Sequence, residues 1–264
     1  MIEKKIKIRQ VMDALERFAP LPLQESYDNA GLQVGLTEAE ISGVLLCLDV
    51  TEAVVDEAVG KGCNLIVAHH PLIFRKLAHI GGGNYVERAV MKAIKNDVAI
   101  VAAHTNLDNA EGGVNFKRAE KIGLERLGSL QGPVVDGKWS GVVGELPEPM
   151  SAEAFIDLLK RNFGIKSLRV NELLNRKIRR VALCGGSGSF MLGDAIRAKA
   201  DAFVTGEMGY HEFFGHEQTI QICVIGHYES EQFTTEIFRD IIVREYPELP
   251  VMITETCTNP ILYL

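Results

Sequence analysis

The sequence has no C-x-x-C pair. Its five cysteines, Cys47, Cys63, Cys184, Cys223 and Cys257, are odd in number. That argues against a disulfide framework and against a zinc knuckle. Cys47, Cys184 and Cys223 lie inside apolar strand-like runs, as reduced, buried thiols do. Long hydrophobic runs are also missing: VLLCL and AIVAAH are of strand length, far below the ~20 residues that span a bilayer. The N-terminal stretch MIEKKIKIRQVMDAL has neither an apolar h-region nor a small-residue cleavage site, so no signal peptide is expected and the expected compartment is the cytoplasm. Positive charge is not in excess. The net charge of −7 argues against a general nucleic-acid binder, although a metal centre can still reverse the sign locally for an anionic ligand. No G-x-x-x-x-G-K-[ST] phosphate loop occurs.

What is present is an ordinary globular composition, 47% hydrophobic and 24% charged over 264 residues, enough for one large core or two modest ones. Strand-like and helix-like segments alternate. Residues 6–18 carry a helical apolar stripe. GVLLCLD (43–49), NLIVAHH (64–70) and DVAIVAAHT (97–105) read as strands. Between them, Thr51 caps a helix that runs to about Gly62, and 84–96 is a second helix. Residues 127–150 are rich in Gly and Pro and read as a β-like connection. SAEAFIDLLKRNFG (151–164) then reads as a helix with Ser151 at its N-cap and Gly164 at its stop. RVALCGGSGSFMLGDAIRAKADAFVTGE (180–207) repeats the strand, turn, helix, strand outline of 43–70. The expectation is an α/β fold: a first lobe (1–126), a β connection (127–150) and a related second lobe (151–264). Both lobes should hold parallel-rich mixed sheets, with a site between them at strand carboxyl ends.

Four histidines end apolar strands: His69 with His70, then His104, then His227. One polar strand tip is unremarkable, but several interleaved with carboxylates point to a site. Neighbouring side chains on a regular strand face opposite ways. Pro71 and the strand end let His69 and His70 enter one crevice toward different points, an arrangement suited to two neighbouring metals. His227 and Glu231 share a helical face if a helix starts early enough, and a carboxylate can bridge two cations. Asp108, in HTNLDNAEGGVN (104–115), supplies a hard anionic ligand, with His104 expected to orient Asp108 or a water. The bland alternatives are that Glu231 serves only the helix dipole and that Asp108 is a turn residue. Glu207 and His211 flank the site or are solvent-facing. Asn106, Asn109 and Asn115 read as turn formers. GGSGSFMLG (185–193) is a weak dinucleotide fingerprint, because Met191 stands where the third glycine belongs.

AHHPLIF (68–74), HTNLDNA with GGVN (104–115), TGEMGYHE (205–212), GHYESEQF (226–233) and DNAGLQVG together resemble the Nif-three-like dinuclear metal-centre family, whose bacterial members carry the label GTP cyclohydrolase type-two homologue. The resemblance runs from about residue 8 to the chain end. It implies one metal on His70 and Asp108, a second on His69 and His227, and Glu231 bridging both. It also implies a toroidal homohexamer and, with so short a middle segment, the form lacking an inserted domain. The expected cofactors are two divalent ions per chain, zinc, iron or manganese. The expected activity is two-metal hydrolysis of a small anionic, phosphorylated or nucleotide-like molecule, with Glu231 and Asp108 as the carboxylates at the reacting centre. The alternative is a non-catalytic, metal-dependent assembly or regulatory protein. No membrane and no specific nucleic acid is expected as partner.

Overall fold

The computed structural model of the chain describes residues 5–264. In chain order the first elements are α1 (Ile8–Phe18), β1 (Gly31–Val34), β2 (Val44–Cys47), α2 (Glu52–Gly60), β3 (Leu65–Ala68), α3 (Tyr85–Lys95), β4 (Ala99–Ala102), α4 (Thr105–Asp108) and α5 (Val114–Ile122). Then follow β5 (Glu125–Ser129), β6 (Val142–Met150), α6 (Ala152–Phe163), β7 (Arg169–Val170), β8 (Ile178–Cys184), α7 (Leu192–Arg197) and β9 (Ala202–Thr205). The last are β10 (Gln221–Val224), α8 (His227–Glu231), α9 (Thr234–Glu245) and β11 (Val251–Ile253). The fold is mixed α/β with two mixed sheets, as the alternating pattern indicates. The expected caps form: Thr51 and Ser151 accept from the backbone N–H groups of Val54 and Ala154, and Gly164 adopts φ 65° where a β-carbon is costly.

The chain forms two compact units. The first comprises residues 1–107 and 234–260, of which 5 onward are described. Its sheet runs β1-β4-β3-β2-β11, with β1 antiparallel to β4 and the other neighbours parallel. Strands β2, β3 and β4 are buried throughout, which is why they read as unbroken apolar runs rather than alternating ones. Leu45, Ile66 and Ile100 pack with Val54, Val55 and Ala58 of α2 and with Ala89, Val90 and Ala93 of α3.

The second unit comprises residues 108–233 and 261–264. Its sheet runs β5-β6-β8-β9-β10-β7, and β8, β9 and β10 are its parallel part. Side chains alternate between two cores. Val181, Leu183, Ala202, Val204 and Cys223 face Phe155 and Leu159 of α6, while Ala182, Phe203, Ile222 and Val224 face Leu192 and Ala195 of α7.

This division differs from the lobes expected at 1–126 and 151–264. Residues 127–150 are not a bare connection. Strands β5 and β6 pair with each other, and Val142 and Val143 of β6 pair with Leu183 and Ala182 of β8, so the segment is an antiparallel edge of the second sheet. The chain then returns to the first unit, where Val251 of β11 pairs in parallel with Val44. None of the five cysteines forms a disulfide, and burial pushes the Cys47 and Cys223 thiols well above their ordinary value, which makes them inert. Among the described residues no helix is long and apolar enough to cross a membrane.

The return to the first unit is clamped by Glu57 of α2. Its carboxylate accepts from Thr254 Oγ1 at 2.5 Å, Thr256 Oγ1 at 2.6 Å, the Glu255 N–H at 2.8 Å and Lys61 Nζ at 2.8 Å. Burial acts to raise this carboxyl. The donors outweigh it, Lys61 first and then the two threonines, and hold it well below its ordinary value of 4.5. A depressed folded pKa gives stability that is fully present above pH 4.5 and drains away as the pH falls below that value. Glu57→Gln is therefore expected to cost about 1–3 kcal/mol at neutral pH, and less at about pH 3.5. Urea midpoints at the two pH values test this. An equal cost at both would show that the charge is not what stabilises the clamp.

Candidate metal centre

In the first unit, β3 and β4 lie side by side, with Ala68 paired to Ala102. Their carboxyl ends deliver His69, His70 and His104. The ring centroids are 4.9 Å apart for His69 and His70, and each lies 5.3 Å from the ring of His104. Each ring offers one nitrogen within 4.8 Å of the nitrogens offered by the other two. The adjacent pair thus projects into one place, as the strand end before Pro71 suggested. His104 joins them more closely than an outlying orienting group would.

The Nδ1 atoms are all committed. His69 Nδ1 lies 3.0 Å from the Ala103 carbonyl oxygen, His70 Nδ1 2.7 Å from Asp49 Oδ1, and His104 Nδ1 2.8 Å from Asp28 Oδ1. Facing an acceptor, each Nδ1 acts as the donor, which makes Nε2 the nitrogen suited to ligate a cation. This is how metal-ligating histidines are held. Asp49 is itself steadied by the hydroxyl of Thr258 at 2.9 Å. Asp28 accepts from the Thr105 N–H at 3.0 Å and from the Thr105 hydroxyl. Burial acts to raise the Asp28 carboxyl, and hydrogen bonds from His104, Thr105 and the Asn29 N–H overcome it, bringing it to about 2. Neither Asp28 nor Asp49 is marked by a local sequence motif as part of this group. The only signal of Asp49 is its position at the end of the GVLLCLD strand.

In the second unit, α8 begins at His227 itself, so His227 and Glu231 share a face and His227 Nε2 lies 3.2 Å from Glu231 Oε2. Here too Nδ1 meets an acceptor, Glu207 Oε1 at 3.1 Å, and Glu207 is fixed through Oε2 by the Ser187 hydroxyl at 2.5 Å. The Ser187 hydrogen bond and the neighbouring His227 hold the Glu207 carboxyl below its ordinary value, against burial. Glu207 does flank the candidate ligands. His211, offered with it, is exposed and lies against Tyr210 and Phe214 instead.

A further group that no sequence motif marks is Arg118, buried in α5. Its Nη2 lies 3.2 Å from Glu231 Oε1 and 3.9 Å from Asp108 Oδ1. Its Nη1 donates to Asn115 Oδ1 at 2.7 Å, and its Nε donates to the Ser230 carbonyl at 2.5 Å. Asn115 in turn donates to the Asp108 carbonyl at 3.1 Å, so it is a buried link rather than a turn former. The glycines of the 185–188 turn are required by this packing. A β-carbon on Gly185 would come within 1.9 Å of Arg118 Cζ, and one on Gly186 (φ +54°) within 2.5 Å of Glu231 Oε1. The turn makes room for Arg118 and Glu231. Arg75 and Lys76, after His70, are exposed.

The donor set fits divalent cations. Neutral imidazole suits zinc and iron, while carboxylate oxygen suits those ions and manganese. The buried Arg118 guanidinium beside the Glu231 and Asp108 carboxylates keeps this part of the second unit from carrying a full, uncompensated double negative charge.

The profile of a family described as Duf34/NIF3 (NGG1p interacting factor 3) matches residues 6–260. A "GTP cyclohydrolase 1 type 2 homolog" of Clostridium perfringens is 38% identical over 228 residues, covering 86% of this chain and 87% of the relative. Another protein of that name, from Campylobacter jejuni, is 30% identical and covers 98% of this chain and all of its own length. Among solved structures, a hypothetical protein of Staphylococcus aureus superposes with a TM-score of 0.91 at 28% identity, covering 99% of this chain and 100% of that one.

Proposed function

From a chain that belongs to the Duf34/NIF3 family, we propose a protein that binds two divalent cations through His69, His70, Asp108, His227 and Glu231 and hydrolyses a small phosphorylated or nucleotide-like molecule. The observation that carries the metal reading is the repeated arrangement of the histidines. In each of four, Nδ1 meets an acceptor, and in the three assigned to the metals, His69, His70 and His227, Nε2 is the nitrogen that would ligate. A histidine placed for packing alone has no need of this, and its recurrence supports a shared purpose.

By the resemblance of their motifs, His70 and Asp108 would hold one cation and His69 and His227 the other, with Glu231 serving both. Two such cations, when bound, would supply Lewis acidity toward water and toward the transferred group. The protein's own residues do the rest. Asp49, Glu207 and the Ala103 carbonyl aim the imidazoles, Arg118 fixes Glu231, and His104 with Asp28 supports the trio on β3 and β4. Three neutral imidazoles and two carboxylates give the ligand set a charge of −2 against +4 from the cations. The surplus favours an anionic substrate in spite of the chain's net −7. The names of the clostridial and Campylobacter relatives are consistent with a nucleotide-like one. Cytoplasmic residence and a toroidal homohexamer belong to the same proposal.

The test is a screen of phosphate monoesters and of neutral esters and amides against metal-loaded protein, with Asp108→Asn as control. Phosphomonoester hydrolysis that inorganic phosphate inhibits is expected. Turnover of neutral substrates alone would reject the charge argument, and no metal-dependent turnover at all would leave the non-catalytic alternative.

A further inference from the structure

The second unit contains a cleft of about 870 Å³ in which the metal reading uses only His227, Glu207 and its partner Ser187. It lies at the carboxyl ends of the three parallel strands. Ser187 follows β8, Glu207 follows β9 and His227 follows β10, and all three line it. In open α/β sheets this is where ligands bind, and the volume falls within the range of small-molecule sites.

The lining has a definite chemistry. Ser167, Ser189 and Arg169 contribute hydrogen-bond donors. Arg169 has no carboxylate partner among the described residues; its guanidinium lies 5.8 Å from the Phe213 ring centroid. Glu207 is the only acidic side chain in the lining, and both its oxygens are already engaged, one by Ser187 and one by His227. The cleft thus offers a positive charge and two hydroxyls, while its one negative charge is turned to other work. The rest is apolar. Leu168 and Met208 line it, and the chain end adds Ile261 and Tyr263, which remain about half exposed at 51% and 45%. Apolar surface left open beside a polar subsite is typical of a ligand-binding groove.

We propose that this cleft is the binding subsite for the non-reacting part of an organic phosphate. The phosphate-type oxygens would sit on Arg169, Ser167 and Ser189, and a flat apolar portion on Ile261 and Tyr263. The proposal rests on the metal reading for its place in a reaction, because His227 forms one wall. Its binding step needs no metal. A substrate held here would carry at least two features, an anionic group with several acceptor oxygens and a hydrophobic or aromatic body, and inorganic phosphate would satisfy only the first.

The experiment is calorimetric titration of the full chain after chelator treatment, with phenyl phosphate, inorganic phosphate and benzyl alcohol as probes. Phenyl phosphate is expected to bind the metal-free protein with Kd on the order of 1 mM, and the other two about tenfold more weakly or worse. Arg169→Gln, an exposed change that leaves the core intact, is expected to weaken phenyl phosphate about tenfold or more. Ile261→Ser is expected to weaken phenyl phosphate and leave inorganic phosphate unchanged. The proposal is overturned if phenyl phosphate fails to bind at about 20 mM, if Arg169→Gln binds it as wild type does, or if both phosphates bind equally. Because these titrations contain no metal, their failure leaves the metal reading standing. Failure of metal binding, read by elemental content, leaves the cleft to be judged on these titrations alone.

Discussion

Glu231→Gln is expected to lower divalent-metal affinity by more than about 100-fold, beyond the 10–100-fold typical of losing a group that merely orients a ligand. The substitution removes a full negative charge from a residue that is only 3% exposed, and an amide oxygen is a poor donor to a hard cation. It leaves the local structure nearly intact. The amide oxygen can still accept from Arg118 Nη2, now 3.2 Å from Oε1, and the α8 backbone is held separately by the bond from Arg118 Nε to the Ser230 carbonyl. The effect therefore falls on metal binding rather than on folding, and both ions should loosen, since the proposed role of Glu231 is to reach both. Calorimetric titration of metal-stripped wild type and variant with zinc and manganese reads this. Wild-type affinity for both ions in the variant would remove Glu231 from the ligand set. Loss of one ion alone would make it a terminal ligand rather than a bridge.

Arg118→Met should be the most destabilising single substitution among the groups described for the second unit, at about 3–5 kcal/mol in the absence of metal. Arg118 is 4% exposed and faces two carboxylates, Glu231 at 3.2 Å and Asp108 at 3.9 Å, besides two neutral acceptors. Methionine fills much of the space but takes the positive charge from a place where water cannot replace it. For a protein of this size the cost corresponds to a fall in Tm of roughly 10 °C. Divalent metal should restore part of the loss, because cations beside the same carboxylates supply the missing charge. Gly185→Ala provides a second approach. Its β-carbon, 1.9 Å from Cζ, must push the guanidinium aside while leaving its charge in the protein. Denaturant melts with and without metal check both variants. A cost below about 1 kcal/mol for Arg118→Met, or one that metal does not reduce, would contradict this account of Arg118.

The parts of this protein legible in the sequence are those written locally. Helix caps at Thr51 and Ser151, the stop at Gly164 and the apolar strands ending in histidine are signals of a few residues each, and all form as read. The neighbourhood of His69, His70 and His104 follows from them, since parallel pairing of β3 with β4 brings the two strand ends together. The division of the chain did not follow, because it depends on distant pairing. β11 joins β2 across some two hundred residues, and β6 looks like a Gly- and Pro-rich connection until Val142 and Val143 are seen against β8. Arg118 was illegible for a related reason. In GGVNFKRAEKIG it is one basic residue of a polar helix, and nothing local marks the side chain that turns inward to meet a carbonyl more than a hundred positions away. The same holds for Asn115, whose link to Arg118 no local pattern marks. The glycines at 185 and 186, part of only a weak dinucleotide fingerprint in the sequence, clear space in the structure for Arg118 and Glu231.

The central claim is a dinuclear centre, and elemental analysis of the purified, metal-replete chain tests it most directly, with chelator-stripped protein as the blank. The account predicts two divalent ions per chain that survive gel filtration, falling toward zero when His70, Asp108 and Glu231 are replaced together. A stoichiometry that stays at or below one ion per chain under metal-replete conditions would contradict it.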